Sequence, residues 1–426
     1  MFREDLRLTH TMFPRLKGNS RGCLAFEPLF LIPYSMFATY AAIYMHKLGL
    51  SETQIGWVTT LTLAVQVFSS FISGYLTDRM GRKAALLTFD LLSWSVGTLL
   101  WAISQNVWFF VAAAVMNGFQ RVPHTAFYCL LVEDTEPKDR TYVFTLLQVI
   151  GVIGGLFAPL GGLLVHQYGM VTGVRIMYVL AFVCMTAQFF GRHYTTHETE
   201  MGLRKKRESR ELGLRASLLD YAATMRAVLA DRGLLLMFGV YILFNFQMTV
   251  KGTYLSLYLA DGLGLAENLI SFVPAVSSVV MLLVLWLVMP RIPERLTNRM
   301  MVWGFVLSAV SNGMLALTPA GGLGWVAAST VLAAAATMVT APYLEAAVAN
   351  AIDDERRAKM FAVLSVLVLL AVSPSGIIGG WAYSLDPQLP IWLVTGAFAL
   401  SLPLLAAGGR HGSIAEGQGG VRGEPL

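Results

Sequence analysis

Long apolar segments that recur between short polar loops restrict the fold of this chain more than any other feature. Of its 426 residues, 56% are hydrophobic and 13% are charged, whereas a soluble domain has about 25% charged residues. Lipid offers no hydrogen-bond partner to a peptide group, so a spanning segment must be helical or belong to a closed barrel. These runs are too long and too uniformly apolar to be barrel strands. The sequence therefore predicts an all-α membrane protein with twelve transmembrane helices, called segments 1–12 here, at 24–46, 54–77, 84–104, 107–132, 142–168, 174–193, 233–259, 266–289, 300–318, 322–350, 358–384 and 387–408.

A long polar stretch in the middle of the chain divides the segments into six and six. Residues near Arg140 recur around Arg357, at an offset of half the chain, which predicts two pseudo-symmetric bundles. Within the linker, a cap at Ser217 and apolar residues at helical spacing as far as Leu229 predict an amphipathic surface helix, and a plain tether is equally compatible. The predicted parts are a cytoplasmic N-terminal tail at 1–23, an N-terminal six-helix bundle at 24–193, a cytoplasmic linker at 194–232, a C-terminal six-helix bundle at 233–408 and a disordered cytoplasmic tail at 409–426.

The positions of the basic residues predict the orientation of the chain. All but four of the 31 Lys and Arg residues lie in, or at the edge of, the tails, the linker or the loops after even-numbered segments. Lys47 and Arg175 lie on the other side, and Arg121 and Lys251 lie within segments. Because Lys and Arg accumulate in cytoplasmic loops, the bias predicts an inner or plasma membrane protein with both termini in the cytoplasm. It also accounts for the net charge of +5 without a nucleic acid partner, and we expect no cleaved signal peptide.

The sequence contains none of the common catalytic or metal-binding patterns. Its three cysteines have no paired spacing, so they indicate neither a disulfide framework nor a metal site. It has no phosphate-binding loop, no His-Glu-x-x-His and no Gly-x-Ser-x-Gly. We expect no catalytic residue, no bound metal, no cofactor and no ATP hydrolysis, so an ion or solute gradient must supply any energy that the protein uses.

The loop after segment 2 has the most specific pattern, which reads GYLTDRMGRK over residues 74–83. It closely resembles the cytoplasmic signature of the major facilitator superfamily, which runs Gly, three residues, Asp, a basic residue, one residue, Gly, Arg and a basic residue. Every specified position is matched, by Gly74, Asp78, Arg79, Gly81, Arg82 and Lys83. The resemblance covers essentially residues 24–408. It implies a secondary transporter in which two six-helix halves rock about a central solute site.

The resemblance also implies that this loop is part of a cytoplasmic gate. The partner of Asp78 would be the start of segment 11 in the other half, since a helix N-terminus attracts an anion. The three basic residues of the loop could pair with Glu133 and Asp134 at the end of segment 4. The alternative is a simple charge cluster that sets the topology, although topology alone requires neither the glycines nor Asp78.

Segment 5 contains a run of small residues around a proline. It resembles the glycine-proline stretch of proton-coupled antiporters in the same superfamily. The match is imperfect, because Ala158 precedes Pro159 and only Leu160 separates the proline from the following glycines. Ordinary small-residue packing is an equal alternative. The residues concerned are Gly151, Gly155, Pro159, Gly161 and Gly162.

Charged residues within the segments are candidates for a solute or proton pathway, because a charge in lipid is costly unless it faces a cavity or a partner. By resemblance, segments 1, 4, 7 and 10 line the central cavity. Arg121 and Lys251 would then face it from opposite halves and suit an anionic solute, although either could instead be structural. Glu345 would be a proton carrier or a counter-ion. The further candidates are His124, Asp90, Asn245 and Gln247.

The function that these observations favour is secondary active transport by alternating access, specifically proton-coupled export of small amphipathic compounds. The main rival is proton-coupled uptake of an organic anion, and a transporter-like sensor without flux is a third possibility. The expected partners are a small-molecule solute, protons and the lipid bilayer, and we expect a monomer.

Overall fold

The computed structural model describes residues 16, 18–208, 232–292, 297–350 and 357–418. Over these residues every regular element is a helix and no strand occurs, which confirms the predicted all-α fold. We number the helices α1–α12 after the segments that they occupy. One further helix, Glu200–Glu208, is called the linker helix.

Local sequence explains where several helices of the N-terminal half begin and end. Ser51 forms a capping box with Gln54 at the start of α2. Gly81 ends α2 at a φ of 94°, a conformation that is open to glycine because it lacks a Cβ atom. Pro159 lies in the first turn after the break in α5. The helices are α1 (Gly18–Phe26, Pro28–Ala38 and Ala41–Lys47), α2 (Glu52–Met80), α3 (Arg82–Ala102), α4 (Val107–Gly118 and Arg121–Glu133), α5 (Pro137–Gly155 and Ala158–Tyr168) and α6 (Met170–Thr195).

The helices of the C-terminal half follow the same order, and prolines interrupt or bend three of them. Pro374 lies at the break in α11, and Pro342 and Pro403 lie inside α10 and α12. The helices are α7 (Arg232–Leu257, continued by the π-helical turn Tyr258–Gly262), α8 (Glu267–Ile270 and Phe272–Leu283, continued by Val284–Val288 and Met289–Arg291), α9 (Thr297–Ala316), α10 (Leu323–Asn350), α11 (Arg357–Val372 and Ser375–Leu385) and α12 (Leu389–Gln418).

A helix occupies each of the twelve predicted segments, but not all of these helices are long enough to count as spans. Among the described residues, eight helices are long and apolar enough to cross a membrane, or nine if the pieces of α1, which meet at 46°, form one span. The remaining three are α4, which is broken, α9, and α12, whose apolar part is Leu389–Leu405. The number of twelve crossings therefore stays a prediction.

The helices pack as two bundles, α1–α6 and α7–α12. In the first, α6 packs against α1 and α3, and α2 packs against α4; in the second, α7 packs against α12 and α9 against α10. One end of the bundles carries residues 78–83 and the linker helix, and we call it the basic end. The other end carries the turns at 48–51 and 263–266, and we call it the opposite end.

The two bundles touch closely at the opposite end. The Tyr40 hydroxyl donates to the carbonyl of Glu267 at 3.0 Å, and Lys47 Nζ lies 2.9 Å from the Glu267 carboxylate. The backbones of α2 and α11 also meet, because a Cβ atom on Gly376 would lie 2.5 Å from the carbonyl oxygen of Gly56. Glycine at both positions permits this approach.

The linker and the C-terminal tail differ in part from the predicted organisation. The linker helix begins soon after α6 ends at Thr195, whereas the amphipathic helix predicted after Ser217 lies outside the described residues. α12 extends to Gln418, into the stretch predicted to be disordered from 409 onwards.

Candidate functional site

A cavity of about 460 Å³ lies between α5 of the first bundle and helices α7, α8, α9, α10 and α12 of the second. Its volume is typical of a small-molecule site. Most of its lining is apolar, with a few hydroxyl and amide groups. The predicted residues Lys251, Gln247 and Gly151 all line it, so α7 and α5 contribute to one site.

Lys251 is the charged group of this cavity. Its Nζ donates to Oδ1 of Asn312 on α9 at 2.9 Å. The Asn312 amide is itself held, because its Nδ2 donates to the carbonyl of Ser308 at 2.7 Å. No acidic residue is among the described residues that line the cavity. Sequence reasoning missed Asn312, since nothing in its local sequence distinguishes it from other polar residues in a span.

The two predicted amides of α7 differ in their surroundings. Gln247 is buried and its Nε2 donates to the Phe244 carbonyl at 2.8 Å, while its side chain contributes to the cavity wall. Asn245 donates to the Tyr241 carbonyl at 2.8 Å and does not line the cavity. Two residues advance a helix by about 200°, so these neighbours face opposite sides.

A second group of predicted residues lies nearer the basic end, between the bundles. Arg121, on α4, donates from Nε to Oε1 of Gln66 on α2 at 3.1 Å. His124 lies one turn further along, exposed, with its ring 4.6 Å from that of Tyr128. Glu345, on α10, is also exposed, and both Glu345 and Arg121 lie within electrostatic range of Tyr241. Arg121 and Glu345 thus both lie near Tyr241, whereas Lys251 lines the separate cavity described above.

Asp90 lies inside the first bundle and is not among the residues that line the cavity. It is 5% exposed and forms an ion pair with Arg192 of α6 inside the first bundle. Arg192 also lies 3.6 Å from the Glu27 carboxylate of α1 and packs over the ring of Phe127. The pairing satisfies charges that would otherwise be costly to bury. These residues fasten α1, α3 and α6 together.

The signature loop is organised around Arg82. This side chain is buried although it carries a charge, with Nη1 2.7 Å from Asp78 Oδ1 and Nη2 3.2 Å from Glu133 Oε1. Asp78 therefore pairs within its own bundle, and no described residue lies within 4 Å of a Cβ atom placed on the neighbouring Gly74. Residues 351–356, just before α11, lie outside the described residues.

The other charged residues of this region have different partners from those predicted. Arg79 donates to the hydroxyl of Tyr75 and lies over its ring, away from Glu133. Asp134 accepts from Asn19 Nδ2 at 2.6 Å and lies 3.1 Å from Nε2 of His197. The predicted pairing with Glu133 is therefore present for Arg82, whereas Asp134 ties α4 to α1 and to the chain after α6.

Glu198 is a residue of this region that sequence reasoning missed. Its carboxylate accepts hydrogen bonds from the backbone nitrogens of Arg82 at 3.0 Å and Lys83 at 3.1 Å. An anion at this position satisfies free N–H groups at the start of α3 and the helix dipole together. Thr199 next to it donates to Glu133. Residues 196–202, at the start of the linker, thus hold the signature loop in place. We call these residues the clasp.

The small-residue run of α5 lies at the contact between the bundles. A Cβ atom on Gly155 would collide with the Ser278 hydroxyl of α8, and one on Gly162 would lie 2.6 Å from the carbonyl of Asn268. Gly161 packs instead within the first bundle, where a Cβ atom would lie 3.0 Å from the Met36 carbonyl. The run therefore permits the close approach of α5 to α8.

Comparison with known proteins places this architecture in a family. Residues 29–297 match the family model of the Major Facilitator Superfamily. The uncharacterized MFS-type transporter YqjV of Bacillus subtilis (strain 168) is 32% identical over 131 residues, which are 30% of this chain and 32% of the relative. The multidrug resistance protein MdtG of Serratia proteamaculans (strain 568) is 31% identical over 164 residues, 36% of this chain and 38% of the relative. The chain thus spans about a third to two fifths of the length of these curated relatives.

Solved structures resemble the chain over most of its length. The nucleoside transporter NupG superposes with a TM-score of 0.67 at 13% identity, covering 92% of this chain and 98% of the other. The human organic anion transporter MFSD10 superposes with a TM-score of 0.65 at 17% identity, covering 91% and 100%. At such low identities the likeness concerns the fold.

Proposed function

From its membership in the Major Facilitator Superfamily, to which this chain belongs, we propose that the protein exports small amphipathic compounds in exchange for protons, by alternating access. It is a multi-pass membrane protein of a transporter family, not of an enzyme family, and its ligand is a small-molecule solute. The relatives named MdtG, described as multidrug resistance proteins, support export. The excess of Lys and Arg at the basic end supports an inner or plasma membrane location with that end in the cytoplasm.

One observation carries the proposal of alternating access: the bundles are joined at the opposite end and expose charged groups between them toward the basic end. Tyr40 and Lys47 both contact Glu267 across the opposite end. His124 and Glu345 are exposed nearer the basic end, so the space between the bundles would form a crevice there. With the basic end in the cytoplasm, this arrangement would be the inward-facing state.

The signature loop and the clasp would form the moving part of the gate. In the inward-facing state Arg82 neutralises Asp78, and Glu198 occupies the start of α3. For the cytoplasmic side to close, Asp78 would turn to the start of α11, as the family signature implies. In this proposal the gate closes when the Asp78 carboxylate exchanges Arg82 for the start of α11 as its partner.

Glu345 and His124 are the proposed proton carriers. Both groups are exposed where the crevice would open to the cytoplasm, and both can bind a proton. Arg121 would lie in the same crevice, since it and Glu345 are both near Tyr241. Protonation of Glu345 would then remove a negative charge that attracts Arg121. Loss of that attraction is a physical means of coupling a proton to the movement of the two bundles.

Transport in oriented vesicles tests the proposal. Inverted vesicles energised to an acidic interior should accumulate a fluorescent amphipathic dye, with ethidium as the cationic and fluorescein as the anionic probe, and a protonophore should abolish the accumulation. Uptake only into right-side-out vesicles would favour the rival, import of an organic anion. Binding of either dye without flux in any orientation would refute transport and leave a sensor.

A further inference from the structure

We propose that the cavity beside Lys251 binds the negatively charged head of an amphipathic anion, such as a carboxylate attached to an apolar body. This inference rests on the proposed transport function and names the substrate class of its site. Its first support is a comparison among the cations of the described residues.

Lys251 lines a cavity and has no carboxylate partner among the described residues. Arg82, Arg192 and Lys47 each lie within 4 Å of a carboxylate oxygen. Arg175 and Arg121 have no carboxylate within that distance among the described residues either. Arg175 donates to the Tyr44 hydroxyl and the Ser104 carbonyl and Arg121 donates to Gln66, and neither lines the cavity. Lys251 contacts only the neutral amide of Asn312, and no ion pair joins it to any described residue. A partly buried ammonium without an anion is costly, so an anionic ligand gains more free energy here than at a paired cation.

The groups around Lys251 suit an anionic head. The hydroxyls of Ser256, Ser277 and Thr337 line the cavity and have no hydrogen-bond partner among the described residues. Each can donate to a carboxylate oxygen, and hydrogen bonds to a charged acceptor are stronger than those between neutral groups. No described lining residue carries a carboxylate that would repel an anion or attract a cation.

The rest of the cavity suits an apolar body. Val273, Leu255, Leu259, Met281 and Phe398 form much of its wall, and its volume is about 460 Å³. A second, smaller cavity of about 60 Å³ touches the other side of Lys251 and is lined in part by Ser329 and Thr330. That space has room for water. The competing explanation is therefore that water hydrates Lys251 and that the cavity has no preference for an anionic ligand.

Three probes of one length and different charge separate these explanations. The full chain in lipid nanodiscs would be titrated with 4-phenylbutyrate, 4-phenylbutan-1-ol and 4-phenylbutylamine. We expect the acid to bind at least about tenfold more tightly than the alcohol, since truncating one partner of a buried charge pair typically costs more than that factor. The amine should bind most weakly. Equal binding of acid and alcohol, or no binding of the acid, would overturn the proposal.

Variants locate the selectivity at Lys251. Lys251→Met should lose the preference for the acid, and Lys251→Arg should keep most of it. Asn312→Asp supplies an internal carboxylate 2.9 Å from Nζ and should also abolish the preference, so it tests the proposal even if Lys251→Met fails to fold. Arg204→Gln, on the exposed face of the linker helix, is the matched control and should leave all three affinities unchanged.

The outcome is distinguishable from failure of the proposed function. Selective binding of the acid without flux in vesicles would refute transport and keep the site. Flux of ethidium, together with a preference for the acid that survives Lys251→Met, would refute the site and keep transport.

Discussion

The clasp after α6 should hold the signature loop, and Glu198→Gln is the substitution that tests this. The Glu198 carboxylate accepts from two backbone nitrogens, at 3.0 and 3.1 Å, at the first turn of α3. Glutamine keeps the length of the side chain, but it replaces one oxygen with a donor and removes the charge. The change therefore removes one hydrogen bond and the attraction to the helix dipole.

The size of the effect follows from those two contributions. A helix N-cap is worth about 0.5–2 kcal/mol, and a charge at a helix end contributes about 0.3–1 kcal/mol when exposed and more when partly buried. Glu198 is partly buried, so we expect local opening to become easier by about 1–2 kcal/mol. Since 1.4 kcal/mol is a factor of ten, amide exchange at the start of α3 should accelerate about 5- to 30-fold.

Hydrogen exchange followed by mass spectrometry on the full chain in nanodiscs measures this directly. Peptides covering residues 80–86 and 196–202 should both exchange faster in the variant, because the clasp protects both segments. The control is Glu208→Gln, which removes an exposed carboxylate of the linker helix that contacts Lys205 at 2.8 Å. Unchanged exchange at 80–86 in Glu198→Gln, or equal acceleration in the control, would refute the clasp.

Three further substitutions test the gate, the opposite end and the buried charge cluster. Asp78→Asn should insert and fold normally but slow dye flux in vesicles at least about tenfold, because the gate loses the carboxylate that would exchange partners, while Arg82 keeps Glu133 as a charged partner; wild-type flux would contradict the gate. Gly56→Val should disfavour the inward-facing state, because α11 leaves no room for a side chain there. Labelling of a cysteine placed in the crevice should then fall, and unchanged labelling would count against the contact between α2 and α11. Arg192→Met should destabilise the fold by about 3–5 kcal/mol by leaving Asp90 buried and unpaired, which a lowered thermal midpoint would report and an unchanged midpoint would exclude.

The local sequence was sufficient for the helices and for the composition of the signature loop. Apolar runs predict helical spans because a peptide group in lipid has no other way to satisfy its hydrogen bonds. Gly81 marks the end of α2 because its positive φ excludes most other residues. The pairing of Arg82 with Glu133 was foreseeable, since both residues end segments at the same face of the membrane.

The partners of buried charges were decided by the tertiary structure alone. Asp90 and Arg192 are 102 residues apart, and Glu198 and Arg82 are 116 residues apart. Which helices lie side by side, and which face each of them turns inward, is set by the packing of all helices together. Hydropathy reports how deep a residue lies in the membrane but not which neighbour it meets, so Asp90 and Lys251 looked equally like pathway residues.

The sequence by itself determined an all-helical chain in the membrane, its division into two halves and a conspicuous charged loop between α2 and α3. The tertiary structure decided that Asp90 is neutralised inside a bundle while Lys251 faces a cavity with an amide as its only described partner. The physical reason is that the tendency of a side chain to be buried depends on that residue alone, so hydropathy along the chain reveals it. Whether a buried charge is neutralised depends on which other residue folding brings next to it.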